Sequence, residues 1–228
     1  MTGSAGRRPE ARGVLTEAEI LDAALALLDA GGPGAASIRR IAAAVDAAPS
    51  TVYTYFPDYA AVVRALVERL LGEVRLATPD RVDRSWRENV EALALGLRNC
   101  LIAHPGVIPL MVAGPMDGPN AMLLREHLLG LLAGAGLDTV DAARGAYVVR
   151  VYVLGSIVLE AADGPPIGSL PPEAERIAAR RRLSDAIPAE AFPQTAAAAD
   201  VIATWIGTEQ YLWGLRRVLG GLVDTRLK

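Results

Sequence analysis

Ala48–Phe56 reads APSTVYTYF, with Ser50, Thr51, Tyr53, Thr54 and Tyr55 crowded into six positions. The whole chain has three Trp, six Tyr and two Phe among 228 residues, so three aromatics in nine positions is a concentration. Short hydroxyls and phenols share one chemistry: they donate and accept hydrogen bonds at close range without carrying charge. Tyr53 and Tyr55 are two apart, and residues two apart do not share a helical face. The aromatics of this stretch therefore do not all belong to one buried stripe. Hydrogen-bonding side chains on an exposed face suit phosphate oxygens and base edges. Catalysis has no comparable foothold, because G-x-S-x-G, H-E-x-x-H and G-x-x-x-x-G-K are all absent. The glycines at Gly31–Gly34 come without a lysine and outside a strand–helix context. His104 and His127 are the only histidines, too few for a His-based metal site. No enzyme, metal or cofactor is expected.

The flanking sequence must position that stretch. Thr16-Glu17-Ala18-Glu19 is a capping box, and Ile20, Ala24, Leu27 and Leu28 follow at helical spacing. Gly31-Gly32-Pro33 stops that helix. Ser37 caps a second, short helix with Ile38, Ile41 and Val45 inward. Asp46 stands where the chain must turn sharply, and Asp tolerates the left-handed region better than most residues. Pro49 suits the first turn of a third helix. Three short helices and tight turns inside sixty residues predict a helix-turn-helix. Further helices are expected over Tyr59–Leu76, Trp86–Ala103, Asn120–Ala133, Asp138–Ala162, Glu173–Ala186 and Thr195–Leu219. The expected fold class is all-α, with nine or ten helices and no strand.

Composition sets the compartment. The single cysteine, Cys100, excludes an internal disulfide and fits a reducing environment. No apolar leader follows Met1, and Tyr147–Ala162 is broken by Arg150 and Glu160, so a cytoplasmic protein without a membrane span is expected. The net charge of −3 argues mildly against nucleic acid as a partner. Local pattern has to decide.

That pattern resembles a known family. ILDAALALLDAGG, ASIRRIAAAV and PSTVYTYFPD, at their spacing within Leu15–Leu66, resemble the DNA-binding domain of TetR-family transcriptional regulators. More weakly, WRENVEALALGLRNCLIAHPGVIPLMVAG and the late long helices resemble the C-terminal domain of tetracycline-repressor-like members. The resemblance implies a flexible basic arm over 1–14 (Arg7, Arg8, Arg12), a helix-turn-helix domain over 15–60, and an effector-binding and dimerisation domain over 61–228. It implies a homodimeric, ligand-responsive repressor, released from a palindromic operator on double-stranded DNA by a small apolar effector. In such a domain the third helix enters the major groove. Ser50, Thr51 and Thr54 are then expected at bases or phosphates, Tyr53, Tyr55 and Tyr59 on the DNA backbone side, and Phe56 in the core. Ser37 and Arg40 are expected near the backbone, and Arg39 is the expected reader of guanine. Two residues depart from the family pattern: Asp46 replaces a glycine, and Tyr59 replaces a phosphate-binding lysine with a phenol. Five Arg against seven acids within 1–59 keep an alternative open, a helical small-molecule sensor or adaptor that does not bind DNA.

The expected effector pocket comprises Trp86, Leu93, Cys100, Leu110, Met111, Met116, Met122, His127, Tyr147 and Arg150. Arg150, mid-helix in YVVRVYVLG, should be paired, snorkelling or pocket-lining, with Glu126 and His127 as candidate partners. The resemblance places Leu110 where the tetracycline repressor has a metal-liganding histidine, so tetracycline itself is not expected. Tyr152, Gly155, Val201, Trp205 and Leu212 are expected at a dimer interface formed by the two late helices.

Overall fold

Thr16 starts the first helix as its sequence requires. Its hydroxyl accepts the Glu19 N–H at 3.3 Å, and the Glu19 carboxylate accepts the Thr16 N–H at 2.8 Å. Ser85 and Glu88 repeat the same box at the start of a later helix. The computed structural model describes residues 14–77, 83–165, 168–184 and 186–223; Arg7, Arg8 and Arg12 lie outside them. The described residues form twelve α-helices and no strand. These are α1 (Glu17–Gly31), α2 (Ile38–Ala44), α3 (Pro49–Tyr53), α4 (Tyr59–Ala77) and α5 (Trp86–Ala103). A 3₁₀ turn (Pro105–Val107), α6 (Ile108–Ala113), α7 (Pro119–Gly134) and α8 (Thr139–Ala162) follow. The last are α9 (Glu173–Ser184), α10 (Pro193–Ala197), α11 (Ala199–Ala203) and α12 (Thr208–Leu222).

One core runs through both ends of the chain. Ile20, Leu28, Ile41, Val52 and Phe56 of the N-terminal helices are continuous with Leu66, Leu70 and Leu71 of α4 and with Leu101, Ile157 and Leu215 beyond it. α4 makes this possible by packing on α1 on one side and on α5 and α7 on the other. Arg69 of α4 adds a 2.6 Å ion pair to Asp22 of α1. The α5–α6 turn also abuts α1. His104 Nδ1 lies 2.9 Å from Asp29 Oδ2, and a Cβ at Gly106 would stand 2.3 Å from the Leu28 carbonyl oxygen. Only glycine allows that approach.

Twelve α-helices among the described residues exceed the nine or ten expected, and two further expectations change. The helix expected over Thr195–Leu219 is broken into α10, α11 and α12. The Thr204 hydroxyl donates back to the Val201 carbonyl at 2.8 Å, a local bond that competes with helix continuation. The helix restarts at Thr208, whose N–H meets the Glu173 carboxylate at 3.1 Å. Second, α8 is by length and composition able to cross a membrane, where Tyr147–Ala162 was expected to fall short. Here α8 packs against α5, α7 and α12 and buries Ala142, Val149, Val153, Ile157 and Glu160.

That buried Glu160 belongs to an ionic network. Arg98 of α5 (5 % exposed) donates through Nε and Nη2 to the two oxygens of Glu160 (3 % exposed), both at 2.7 Å. Arg176 of α9 (6 % exposed) donates to the same carboxylate at 2.7 Å. Arg98 also reaches Glu173 at 2.8 Å and the Thr208 hydroxyl at 2.9 Å. Two cations face two anions, so the desolvated charges balance. Burial alone would push the Glu173 carboxyl up, but the Thr208 hydrogen bonds and Arg98 hold it below the ordinary range. The cluster pins α9 and the start of α12 onto α5 and α8.

Removing one partner from such a cluster strands the others, a loss of about 3–5 kcal/mol. Arg98→Leu should therefore lower the unfolding free energy by about that much in urea titrations at pH 7. Because the Glu173 carboxyl is held low, its share is present above its ordinary titration range and lost as pH falls through the depressed value. The gap between wild type and Arg98→Leu should narrow in acid. An Arg98→Leu protein as stable as wild type at pH 7 would remove this network from the account.

Candidate DNA-binding surface and effector cavity

α2 and α3 are set at their angle by the turn between them. Ser37 caps α2 by accepting the Arg40 N–H at 3.3 Å. At the other end Asp46 adopts φ 50, the left-handed conformation expected of it. The Ala47 N–H closes back on the Ala42 carbonyl at 2.9 Å and the Asp46 N–H on Ala43 at 3.3 Å, a Schellman closure with Asp in the glycine position. Pro49 then opens α3. Val52 and Phe56 are buried, which fixes the roll of α3 and leaves its opposite side outward.

That outer side carries Ser50, Tyr53 (53 % exposed) and Thr54, with Thr51 half-buried beside them. The Thr54 hydroxyl donates to the Thr51 carbonyl at 2.6 Å. Arg39 and Arg40 are exposed on α2. Neither α2 nor α3 contains a carboxylate, so this patch is locally cationic despite the chain's net charge of −3.

Two expected phosphate contacts are corrected. Tyr55 is half-buried, and its hydroxyl donates to the Leu15 carbonyl, tying the end of the α3 segment to the start of α1. Tyr59 is also half-buried; its hydroxyl lies inside without a hydrogen-bond partner, and burial pushes its pKa up. Neither phenol is presented to a nucleic acid. The spacing carried this signal, since Val52, Tyr55 and Phe56 stand at i, i+3 and i+4, the repeat of a buried stripe.

A cavity of about 330 Å³ opens among α4, α5, α7 and α8. Leu71 and Val74 of α4, Leu97 of α5, Leu128 of α7 and Val153 of α8 are representative of its apolar wall. Of the residues expected there, Leu93, Met116, Tyr147 and Arg150 line it. Six do not. Met111 is sealed in the core and Met122 is exposed on α7. Cys100 sits 4.0 Å from the Leu70 carbonyl, its thiol pushed up to about 11 by burial. Trp86 lies under the Arg87 guanidinium at 4.4 Å, and Leu110 and His127 are half-buried elsewhere. Arg150 is not paired with Glu126 or His127; its guanidinium stands 5.5 Å over the Tyr147 ring. Arg125 was missed, yet it lines the cavity. Ala121, Leu124, Arg125 and Leu128 recur at i, i+3, i+4 and i+7, which was enough to place it on the inner face.

On α8, Val148, Val151 and Leu159 are exposed, and Val201, Trp205 (56 % exposed) and Trp213 are exposed on α11, the following turn and α12. Gly155 shares the open side of α8. Tyr152 and Leu212 were expected with them, but both are half-buried against the chain's own core. The Tyr152 hydroxyl donates to the Tyr211 carbonyl at 2.9 Å, which turns the ring toward α12.

The family model for bacterial regulatory proteins of the tetR family matches residues 20–66, and that for the tetracyclin repressor-like C-terminal domain matches residues 78–226. The chain belongs to the TetR family. A helix-turn-helix transcriptional regulator of Saccharopolyspora erythraea is 32 % identical over 162 residues, 69 % of this chain and 68 % of that one. The repressor DrrR1 of Streptomyces coeruleorubidus is 29 % identical over 66 % of this chain and 56 % of its own length. Among solved structures, a possible TetR-family regulator of Streptomyces coelicolor A3(2) is 30 % identical with a TM-score of 0.77, over 91 % of this chain and 98 % of that one. The S. coelicolor TetR-family protein ActR, solved with actinorhodin, has a TM-score of 0.74 at 24 % identity, over 92 % of this chain and 97 % of its own. As a TetR-family protein this chain is a DNA-binding transcriptional regulator, and the alternative of an adaptor without DNA binding loses its support.

The Tyr55 correction is measurable. Tyr55→Phe should lower stability by about 1 kcal/mol, the worth of one hydroxyl–carbonyl bond. It should leave the salt dependence of DNA binding unchanged. A shallower salt slope in Tyr55→Phe would return Tyr55 to the DNA surface.

Proposed function

We propose that this TetR-family regulator is a homodimeric repressor, released from a palindromic operator when a small, largely apolar molecule enters the α4–α5–α7–α8 cavity. The observation that carries this reading is that one helix serves both parts. Only five residues separate α3 from α4, and α4 supplies Leu71 and Val74 to the cavity wall. ActR has been solved with actinorhodin, and BioQ, a more distant structural neighbour, with its double-stranded DNA operator. Both support the same division of labour here, with 1–14 as a basic arm, 15–60 on DNA and 61–228 for effector and partner.

In this reading Ser37, Arg39, Arg40, Ser50, Thr51, Tyr53 and Thr54 form the DNA face. Arg39 takes the bidentate contact to guanine, and the hydroxyls take phosphates or thymine methyl groups. A second copy covers the apolar side of α8 and the α11–α12 region, which is more apolar surface than isolated chains usually leave open. The two α3 helices must then sit about one DNA turn, ~34 Å, apart. A ligand that shifts α4 in each copy changes that spacing. Full release, from 99:1 bound to 1:99, needs a preference of about 5.5 kcal/mol for the released state. The protein acts in the cytoplasm, where its operator is.

Gel-shift titration on the DNA upstream of the protein's own reading frame tests this. Wild type should shift a palindromic fragment at moderate salt. Arg39→Ala should weaken that binding by roughly 5- to 150-fold, the range of about 1–3 kcal/mol for a base-reading arginine. Deleting the gene should raise transcription from that promoter. A fragment that is not bound, or a promoter that falls silent on deletion, contradicts the repressor reading.

A further inference from the structure

The cavity wall is apolar except at three positions: Tyr147, Arg125 and Arg150. Among the described residues no aspartate or glutamate lines it. Among the described residues neither arginine has a carboxylate partner. Arg125 donates only to the Met116 carbonyl at 3.0 Å, and Arg150 has only the Tyr147 ring at 5.5 Å. The same chain treats its structural arginines differently. Arg98 and Arg176, buried between helices, share the Glu160 carboxylate at 2.7 Å. Where an arginine serves the fold, the sequence supplies the anion. At the cavity it supplies two cations and no anion.

That imbalance has a consequence for any molecule that fills the space. Both arginines are exposed, and an apolar body seated against the wall takes water from the cavity side of their guanidinium groups. A desolvated cation without an anion is unfavourable, and a carboxylate or similar oxyanion removes the penalty. The guanidinium fork matches a planar oxyanion through two parallel hydrogen bonds. Arg125 on α7 and Arg150 on α8 are exposed residues that line the same cavity from neighbouring helices, free to turn their forks toward an oxyanion there.

Resting on the reading of this cavity as the effector site, we propose that the effector is an apolar organic anion, whose carboxylate or equivalent oxyanion is bound by Arg125 and Arg150. A neutral molecule with the same body binds more weakly.

Two fluorescent probes with the same ring system isolate the charge: 1-anilinonaphthalene-8-sulfonate, and N-phenyl-1-naphthylamine, which lacks the sulfonate. Dissociation constants for both are measured on the full-length protein at low and moderate salt. Wild type should prefer the sulfonate by at least tenfold. Arg125→Gln/Arg150→Gln should lose that preference while binding the neutral probe within twofold of wild type. Arg125→Lys/Arg150→Lys, which keeps the charge and loses the fork, should fall between them. Thermal melts confirm that the variants fold. Equal binding of the two probes to wild type, or a preference that survives the double Gln substitution, overturns the anion assignment and leaves the cavity reading intact. If neither probe binds, the cavity is not a site for apolar ligands, and both readings fall together.

Discussion

The carboxylate of Glu68 ties α4, the helix that follows the helix-turn-helix, to the start of α7. It lies midway along α4 and accepts the backbone N–H groups of Asn120 and Ala121 at 2.7 and 3.2 Å. These are the first free N–H groups of α7, because Pro119 has none, and a helix start leaves such donors unsatisfied unless something caps them. A carboxylate is also the group that the helix dipole favours there. The Asn120 side chain returns a bond to the Glu68 carbonyl at 3.0 Å. A Cβ at Gly118 would stand 2.2 Å from the Glu68 carboxyl carbon, so a larger residue there would push the carboxylate from its place on α7. The connecting helix thus caps the helix that carries Arg125.

Much follows from that bond. α4 is 19 residues long, about 28 Å of rigid rod. It packs on α1, out to the Arg69–Asp22 pair, and its second half supplies Leu71 and Val74 to the cavity wall. With α7 capped by α4 rather than by its own sequence, a ligand that moves the start of α7 acts on α4 directly. The Gly106–Leu28 approach and the His104–Asp29 pair fix the α5–α6 turn against α1. The Arg98–Glu160–Arg176 cluster lies on the far side, where it makes α5, α8, α9 and α12 one block.

The sequence carried the helices, the Asp46 turn and the family motif, because caps, turn residues and apolar periodicity are local. It carried less of what depends on distant partners. Tyr55 and Tyr59 were expected at DNA from their polarity, and the structure turns both inward; their hydroxyls could not reveal that Leu15 would arrive from forty residues away. Arg150 was expected to be paired, snorkelling or pocket-lining, and it lines the cavity; the buried Arg98 went unseen, because its partners Glu160, Glu173 and Thr208 come from three other helices. The break at Thr204 is similar, since it depends on Glu173 capping the restart. The residues lining the cavity were half legible, because helical spacing gives an inner face and not what lies across from it. Arg125 could have been placed that way.

The central claim is that α4 couples the DNA face to the cavity through the Glu68 cap. Coupling is reciprocal, so DNA must be felt at the cavity as a ligand is felt at the DNA. Amide hydrogen exchange at Asn120 and Ala121, with and without the bound upstream DNA fragment, measures this most directly. In wild type, DNA should change the exchange rates of these two amides, and in Glu68→Ala, with DNA still bound, that response should vanish. Rates at the start of α7 that ignore DNA in wild type, or that respond equally in Glu68→Ala, would contradict the account.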